Sequence, residues 1–168
     1  MDDDRRRRQT VCEYCGCQAL ATIDELTREH DAALDLMRTA RTAIAVGDLP
    51  VVRDVCRQLL RLLAPHNAVE EQALFLAMRE ENPEHVDILL SEHRLIHAVL
   101  DDLAHGTPSQ DWLLRLTDAL HTLREHIAKE QDGLFPAALA TLSTTQWEAA
   151  ERVRSAVGSL LSPAASTP

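Results

Sequence analysis

Apolar side chains recur at steps of three and four along most of the chain, as in Leu59, Leu62 and Leu63 or Leu113, Leu116, Leu120 and Leu123. That spacing lines one face of an α-helix. Three breaks interrupt it: Gly47-Asp48-Leu49-Pro50, Asn82-Pro83 and Gly106-Thr107-Pro108-Ser109. Between them the pattern predicts long helices over about 19–46, 51–81, 84–105 and 111–142. Thr145 followed by Glu148 reads as a capping box opening a fifth helix over about 145–160. Short connections make neighbouring helices antiparallel. The expected fold is therefore all-α, an up-down-up-down four-helix bundle with a short fifth C-terminal helix. The expected division is a tail over 1–18, the bundle over 19–142, the short helix over 143–161 and a tail over 162–168. Pro65 and Pro136 fall inside predicted helices, and each is expected to bend its helix because it lacks a backbone donor.

A repeat runs through this pattern. His66-Asn-Ala-Val-Glu70 matches His126-Ile-Ala-Lys-Glu130, both H-x-A-x-E, and Leu-Phe follows at the same offset, ending in Phe75 and Phe135. Upstream, Glu29-His30 matches Glu92-His93. The chain thus reads as two similar helical hairpins. Residues four apart share a helix face, so His66 pairs with Glu70, His93 with His97 and His126 with Glu130, while His30 adds a fourth helix. Counted from the turns, these residues fall within about one or two helical turns of a common height. Five histidines and two glutamates are expected to converge in the core.

Such a cluster has a chemical use. Buried carboxylates without partners are costly, and a metal neutralises them. Imidazole and carboxylate ligands projecting into a bundle suit a pair of iron or manganese ions. Five imidazoles, two bridging glutamates and one bridging oxo or hydroxo group fill all but one position of two six-coordinate ions, which leaves room for a small molecule such as O2 or peroxide. A nitrogen-rich donor set should hold Fe(II) better than a carboxylate-rich one. Phe75 and Phe135, each five residues past a glutamate, are expected core residues that also wall the open position. His85, His105 and His121 lie outside the pattern.

Charge and composition narrow the function further. The 168 residues carry a net charge of −10, so phosphate-backbone binding is not expected, and the single basic run Arg5–Arg8 sits in the tail. No stretch approaches the roughly 20 apolar residues of a membrane span, and the first residues lack a secretory core. A cytoplasmic protein with reduced cysteines is expected. Cys12, Cys15 and Cys17 form a triplet that could bind zinc or iron or act in thiol exchange. Cys56 lies too far along the helix to join them, and His85 is better placed. Tyr14, the only tyrosine, lies outside the bundle.

His30, His66-x-x-x-Glu70, His93-x-x-x-His97 and His126-x-x-x-Glu130 in this order resemble the hemerythrin family, more narrowly the bacterial hemerythrin-like, or HHE cation-binding, domains, over residues 22–140. The resemblance implies two iron ions, with His93, His97 and His126 on one, His30 and His66 on the other, and Glu70 and Glu130 bridging. It implies binding of O2 or a related small ligand by a monomer or homodimer. One departure matters. Where the family's oxygen carriers place an aspartate, this chain has Gln131, and Glu130 stands one residue earlier. The HHE pattern extends the expected functions to peroxide decomposition of a catalase-like kind and to iron, redox or nitric oxide sensing. Leu34 occupies in the first hairpin the place of His97 in the second. Without His97 as a ligand a further coordination position opens and peroxide chemistry becomes easier. Glu71 is a further candidate to reach the metals.

Overall fold

The computed structural model describes residues 15–161, with side chains from Ala21 onward. Helix α1 (Cys15–Val46) runs unbroken to Gly47, whose φ of 72° suits glycine because an L side chain is strained there. Asp48 then caps α2 (Leu49–Val69). Its carboxylate accepts the Val51 amide at 3.1 Å, and Pro50 occupies the first turn, where its missing donor is not needed. Glu70–Leu74 form a π turn, and α3 (Phe75–Met78) completes the second rod. After Asn82, α4 (Pro83–His105) runs to Gly106, where a Cβ would meet the Asp102 carbonyl oxygen at 2.6 Å. Arg53 and Arg57 of α2 donate to the carbonyls of Gly106 and Ala104 and so satisfy acceptors that the end of α4 leaves free. The fourth rod repeats the second: α5 (Trp112–Lys129), a π turn over Glu130–Leu134, and α6 (Phe135–Thr141). Helix α7 (Thr144–Val157) follows.

Helix α1 packs on α2, α2 on α4, α4 on α5 and α5 on α1, which closes a four-rod antiparallel bundle. Helix α7 lies mainly against α1, α2 and the first π turn. There is no strand among the described residues, and none of their helices is long and apolar enough to cross a membrane.

Three expectations change in detail. The fifth helix is capped by Ser143 and Gln146, not by Thr145 and Glu148: the Ser143 hydroxyl accepts the Gln146 amide and the Gln146 side chain accepts the Ser143 amide. It opens two residues early because Ser143 has the extended backbone that a cap needs, whereas Thr145 is already helical. Helix α1 starts at Cys15 rather than near residue 19. The helical rods depart from α geometry at the two π turns, each beginning at the glutamate of H-x-A-x-E, while α2 continues through Pro65. Pro136 falls in the first turn after the second π turn.

The core is divided. One cluster of buried side chains, including Met37, Leu59, Leu100 and Leu120, fills the end near the first and third turns. A second, including Leu26, Leu74, Phe75, Leu89, Phe135 and Trp147, fills the other. His30 lies between Leu26 and Ala33, and His93 between Leu89 and Ile96, so a polar layer separates two hydrocarbon ones.

Candidate metal centre

Every rod sends a side chain into that layer. His30 of α1, His66 of α2, Glu70 of the first π turn, His93 of α4, His126 of α5 and Glu130 of the second π turn are each no more than 5% exposed. The helix face explains the convergence of each pair, and the π turn explains the glutamates. A π turn widens the helix by one residue just as the glutamate turns inward, a distortion frequent at functional sites.

Two groups of donor atoms result, His30, His66, Glu70 and Glu130 in one and Glu70, His93, His126 and Glu130 in the other, with the atoms of each group within 4.8 Å of one another. Glu70 places Oε1 at 3.2 Å from His66 Nε2 and Oε2 at 3.4 Å from His93 Nε2. Glu130 places Oε1 at 3.1 Å from His126 Nε2 and Oε2 at 3.1 Å from His30 Nε2. Each carboxylate therefore offers one oxygen to each group. None of these four oxygens, and neither nitrogen of His30, has a partner with hydrogen-bond geometry. Burying six such atoms unsatisfied would cost several kcal/mol in total, at about 1–3 kcal/mol each. A cation at the focus of each group removes that cost, so the residues present fit a pair of metal ions.

The outward ring nitrogens are held by carboxylates. His66 Nδ1 donates to Glu29 at 2.9 Å, His93 Nδ1 to Glu71 at 2.7 Å and His126 Nδ1 to Glu92 at 3.0 Å. These bonds fix the tautomer and leave Nε2 facing the centre. Phe75 stacks on His93 and Phe135 on His30, with ring centroids 5.4 and 5.6 Å apart.

Electrostatics tell the same story. Burial pushes the His66 imidazole down, but the Glu70 charge and the hydrogen bond to Glu29 outweigh it and carry it up to about 10. Burial likewise opposes His126, and the charges of Glu130 and Glu70 carry it up to about 9. Burial would raise Glu70, yet the imidazoles of His66 and His93 hold it well below the usual carboxylate range. Glu130 is raised by burial and by the Glu70 charge, and His126 and His30 reverse this to a net lowering. Two anions at the centre demand positive charge, and without metal they hold it as protons on imidazole.

A cavity of about 30 Å³ opens beside the four imidazoles, walled by Leu63, Ile96, Leu100 and Leu123. About 10–15 Å³ of such space suffices for a water molecule, so the cavity admits a small ligand. Phe75 and Phe135 do not line it; they are core residues, as expected, of the opposite hydrocarbon layer. His97 belongs to neither donor group. It is exposed on α4 and lines the cavity together with half-buried Asn67. Glu71 does not enter the donor groups either; it stands behind His93. Cys12 lies outside the described residues, and Cys15 and Cys17 are described only as backbone of α1.

Several supporting residues escape a reading of periodicity. Glu29 and Glu92 had a signal, the repeated Glu-His pair, whose glutamate serves the histidine of the next rod. Arg154 had none. It reaches from α7 to Glu29 with a two-pronged ion pair, Nη1 to Oε1 at 3.1 Å and Nη2 to Oε2 at 2.8 Å.

The family model of the hemerythrin HHE cation-binding domain matches residues 21–138. No curated protein and no solved structure matches the chain.

Proposed function

Since this chain belongs to the hemerythrin HHE cation-binding family, we propose that it is a non-haem di-iron protein whose centre binds O2 or a related small ligand. His30 and His66 would hold one ion and His93 and His126 the other, with Glu70 and Glu130 able to offer an oxygen to each. The observation that carries this reading is the pair of buried carboxylates, each offering one oxygen to each imidazole pair. Iron bound there would supply one-electron couples for O2, nitric oxide or peroxide. The chain's own contribution is a set of four imidazoles and two carboxylates, tautomers fixed at His66, His93 and His126, and a small apolar cavity beside the imidazoles.

One observation favours a second reading, peroxide decomposition. With His97 outside the donor groups, four imidazoles and two carboxylates leave two six-coordinate ions short of donors on more than one position. More than one free position would make room for peroxide chemistry that a single one would not. The readings separate by experiment. Metal analysis should find two irons per chain, with both lost in Glu70→Ala, and nitric oxide should bind the reduced protein with an optical change. Oxygen release from peroxide above the rate of free iron, abolished in His93→Ala, selects the enzyme. Protein that takes up no iron ends both.

A further inference from the structure

Helix α7 lies beyond the matched residues 21–138, yet it reaches the carboxylate behind one histidine of the centre. Its buried face, Trp147, Ala150 and Arg154, sits at helical spacing, and Trp147 and Ala150 join the hydrocarbon cluster that holds Leu26 and Leu74. Arg154 is thereby aimed at Glu29, a fully buried carboxylate. Glu29 Oε2 accepts His66 Nδ1 at 2.9 Å and Arg154 Nη2 at 2.8 Å; Oε1 accepts Arg154 Nη1 at 3.1 Å and the Ser159 hydroxyl at 2.6 Å. Three of these four bonds come from residues at or after Arg154. Arg154 is itself braced, with Nε 3.3 Å from Glu25 and Nη1 donating to the Gly158 carbonyl at 2.9 Å.

We propose that Arg154 is a positioning residue for His66, acting through Glu29, so that docking of the C-terminal helix α7 and occupancy of the His30–His66 metal position are coupled. The inference rests on the metal centre proposed above. Its reason is the state of Glu29. With Arg154 in place the carboxylate is charged, saturated and fixed by a guanidinium fork, and it orients the His66 ring. With α7 undocked, Glu29 loses the guanidinium fork and the Ser159 hydroxyl and is opened to water, so it no longer holds one orientation and the His66 ring is freed. Coupling runs both ways: metal on His66 favours the docked helix as much as the docked helix favours metal. The other position has no such dependence. Glu92, behind His126, is bound by Lys129 of α5, the helix that carries His126.

Cobalt(II) titration of the full chain, with hydrogen exchange over α7, tests this. The wild-type protein should bind two cobalt ions, and the α7 amides should exchange more slowly once they are bound. Arg154→Met should weaken one of the two binding steps by about ten- to a hundredfold, leave the other in place, and remove the cobalt-dependent protection. Arg154→Lys should recover part of the loss, and Arg152→Met, on the exposed side of the same helix, should change neither step. Wild-type affinities at both positions in Arg154→Met overturn the proposal. If Arg154→Met does not fold, exchange in the wild-type protein decides: α7 protection indifferent to cobalt overturns it. Wild-type protein that binds no cobalt instead removes the metal centre itself.

Discussion

In the first hairpin the carboxylate behind its second-rod histidine is fully buried and bound by an arginine from another helix; in the second hairpin the equivalent carboxylate is 15% exposed and bound by a lysine three residues from the histidine it serves. The inner layers of the two halves are nearly the same. His30 and His66 have ring centroids 4.6 Å apart at an interplanar angle of 56°, and His93 and His126 are 4.6 Å apart at 58°. The first-rod histidine of each half stacks on a phenylalanine of the other half, His30 on Phe135 and His93 on Phe75. The difference begins one bond further out. His93 is backed by Glu71, whereas the residue at the matching place is Gln131 and His30 Nδ1 has no partner. A twofold repeat can thus preserve a pair of ligand sets while making the two metal positions unequal in basicity and in access to solvent.

The largest effect should come from breaking what the halves share. Glu70→Ala or Glu130→Ala removes a ligand from both groups, so metal content should fall from two ions per chain to fewer than one, while His66→Ala should retain the His93–His126 ion. Loss of either carboxylate also leaves buried imidazolium without its partner, at a cost to the metal-free protein of about 3–5 kcal/mol, readable as a lower denaturation midpoint. Equal metal loss in His66→Ala and Glu70→Ala would show that the positions are not separable.

A smaller effect is set by pH. In the metal-free protein His66 and His126 are raised from an ordinary 6.5 to about 10 and about 9. Their ion pairs are fully present below pH 6.5 and are lost as the pH climbs through those raised values. Metal-free stability should therefore fall across that window, by at most about 1.4 kcal/mol per pH unit for each group. The lowered Glu29, Glu70 and Glu130 act in the other sense, stabilising above pH 4.5 and failing as the pH drops below it. Glu29→Gln should flatten the His66 share of the alkaline decline and leave that of His126. Urea unfolding at stepped pH measures both. A metal-free stability that rises from neutral to alkaline pH would contradict the charge assignment.

The smallest effect should come from restoring symmetry. Gln131→Glu offers His30 the carboxylate that Glu71 offers His93, and should tighten the His30–His66 position by a few fold. Asp31, which lines the same groove as Gln131, limits the gain by repulsion. Glu71→Gln should do the reverse at the other position, by roughly tenfold. Cobalt titration of the two variants side by side reads both, and identical shifts at the two positions would deny that the outer carboxylates act locally.

Much of this protein was legible in one dimension. The breaks at Gly47, Asn82 and Gly106 and the apolar spacing determined four rods, because glycine geometry, proline's missing donor and burial of one helix face are local or periodic properties. The H-x-A-x-E repeat likewise placed each histidine and its glutamate on one face. Tertiary structure decided the rest. Which oxygen of Glu70 meets which imidazole, that Phe75 stacks on His93 on the side away from the cavity's hydrocarbon layer, that His97 lines the cavity, and that Arg154 reaches Glu29 from α7 all depend on contacts between elements. Periodicity gives the direction of a side chain around its own helix, but it carries no information on the rotation and height of the helix packed against it.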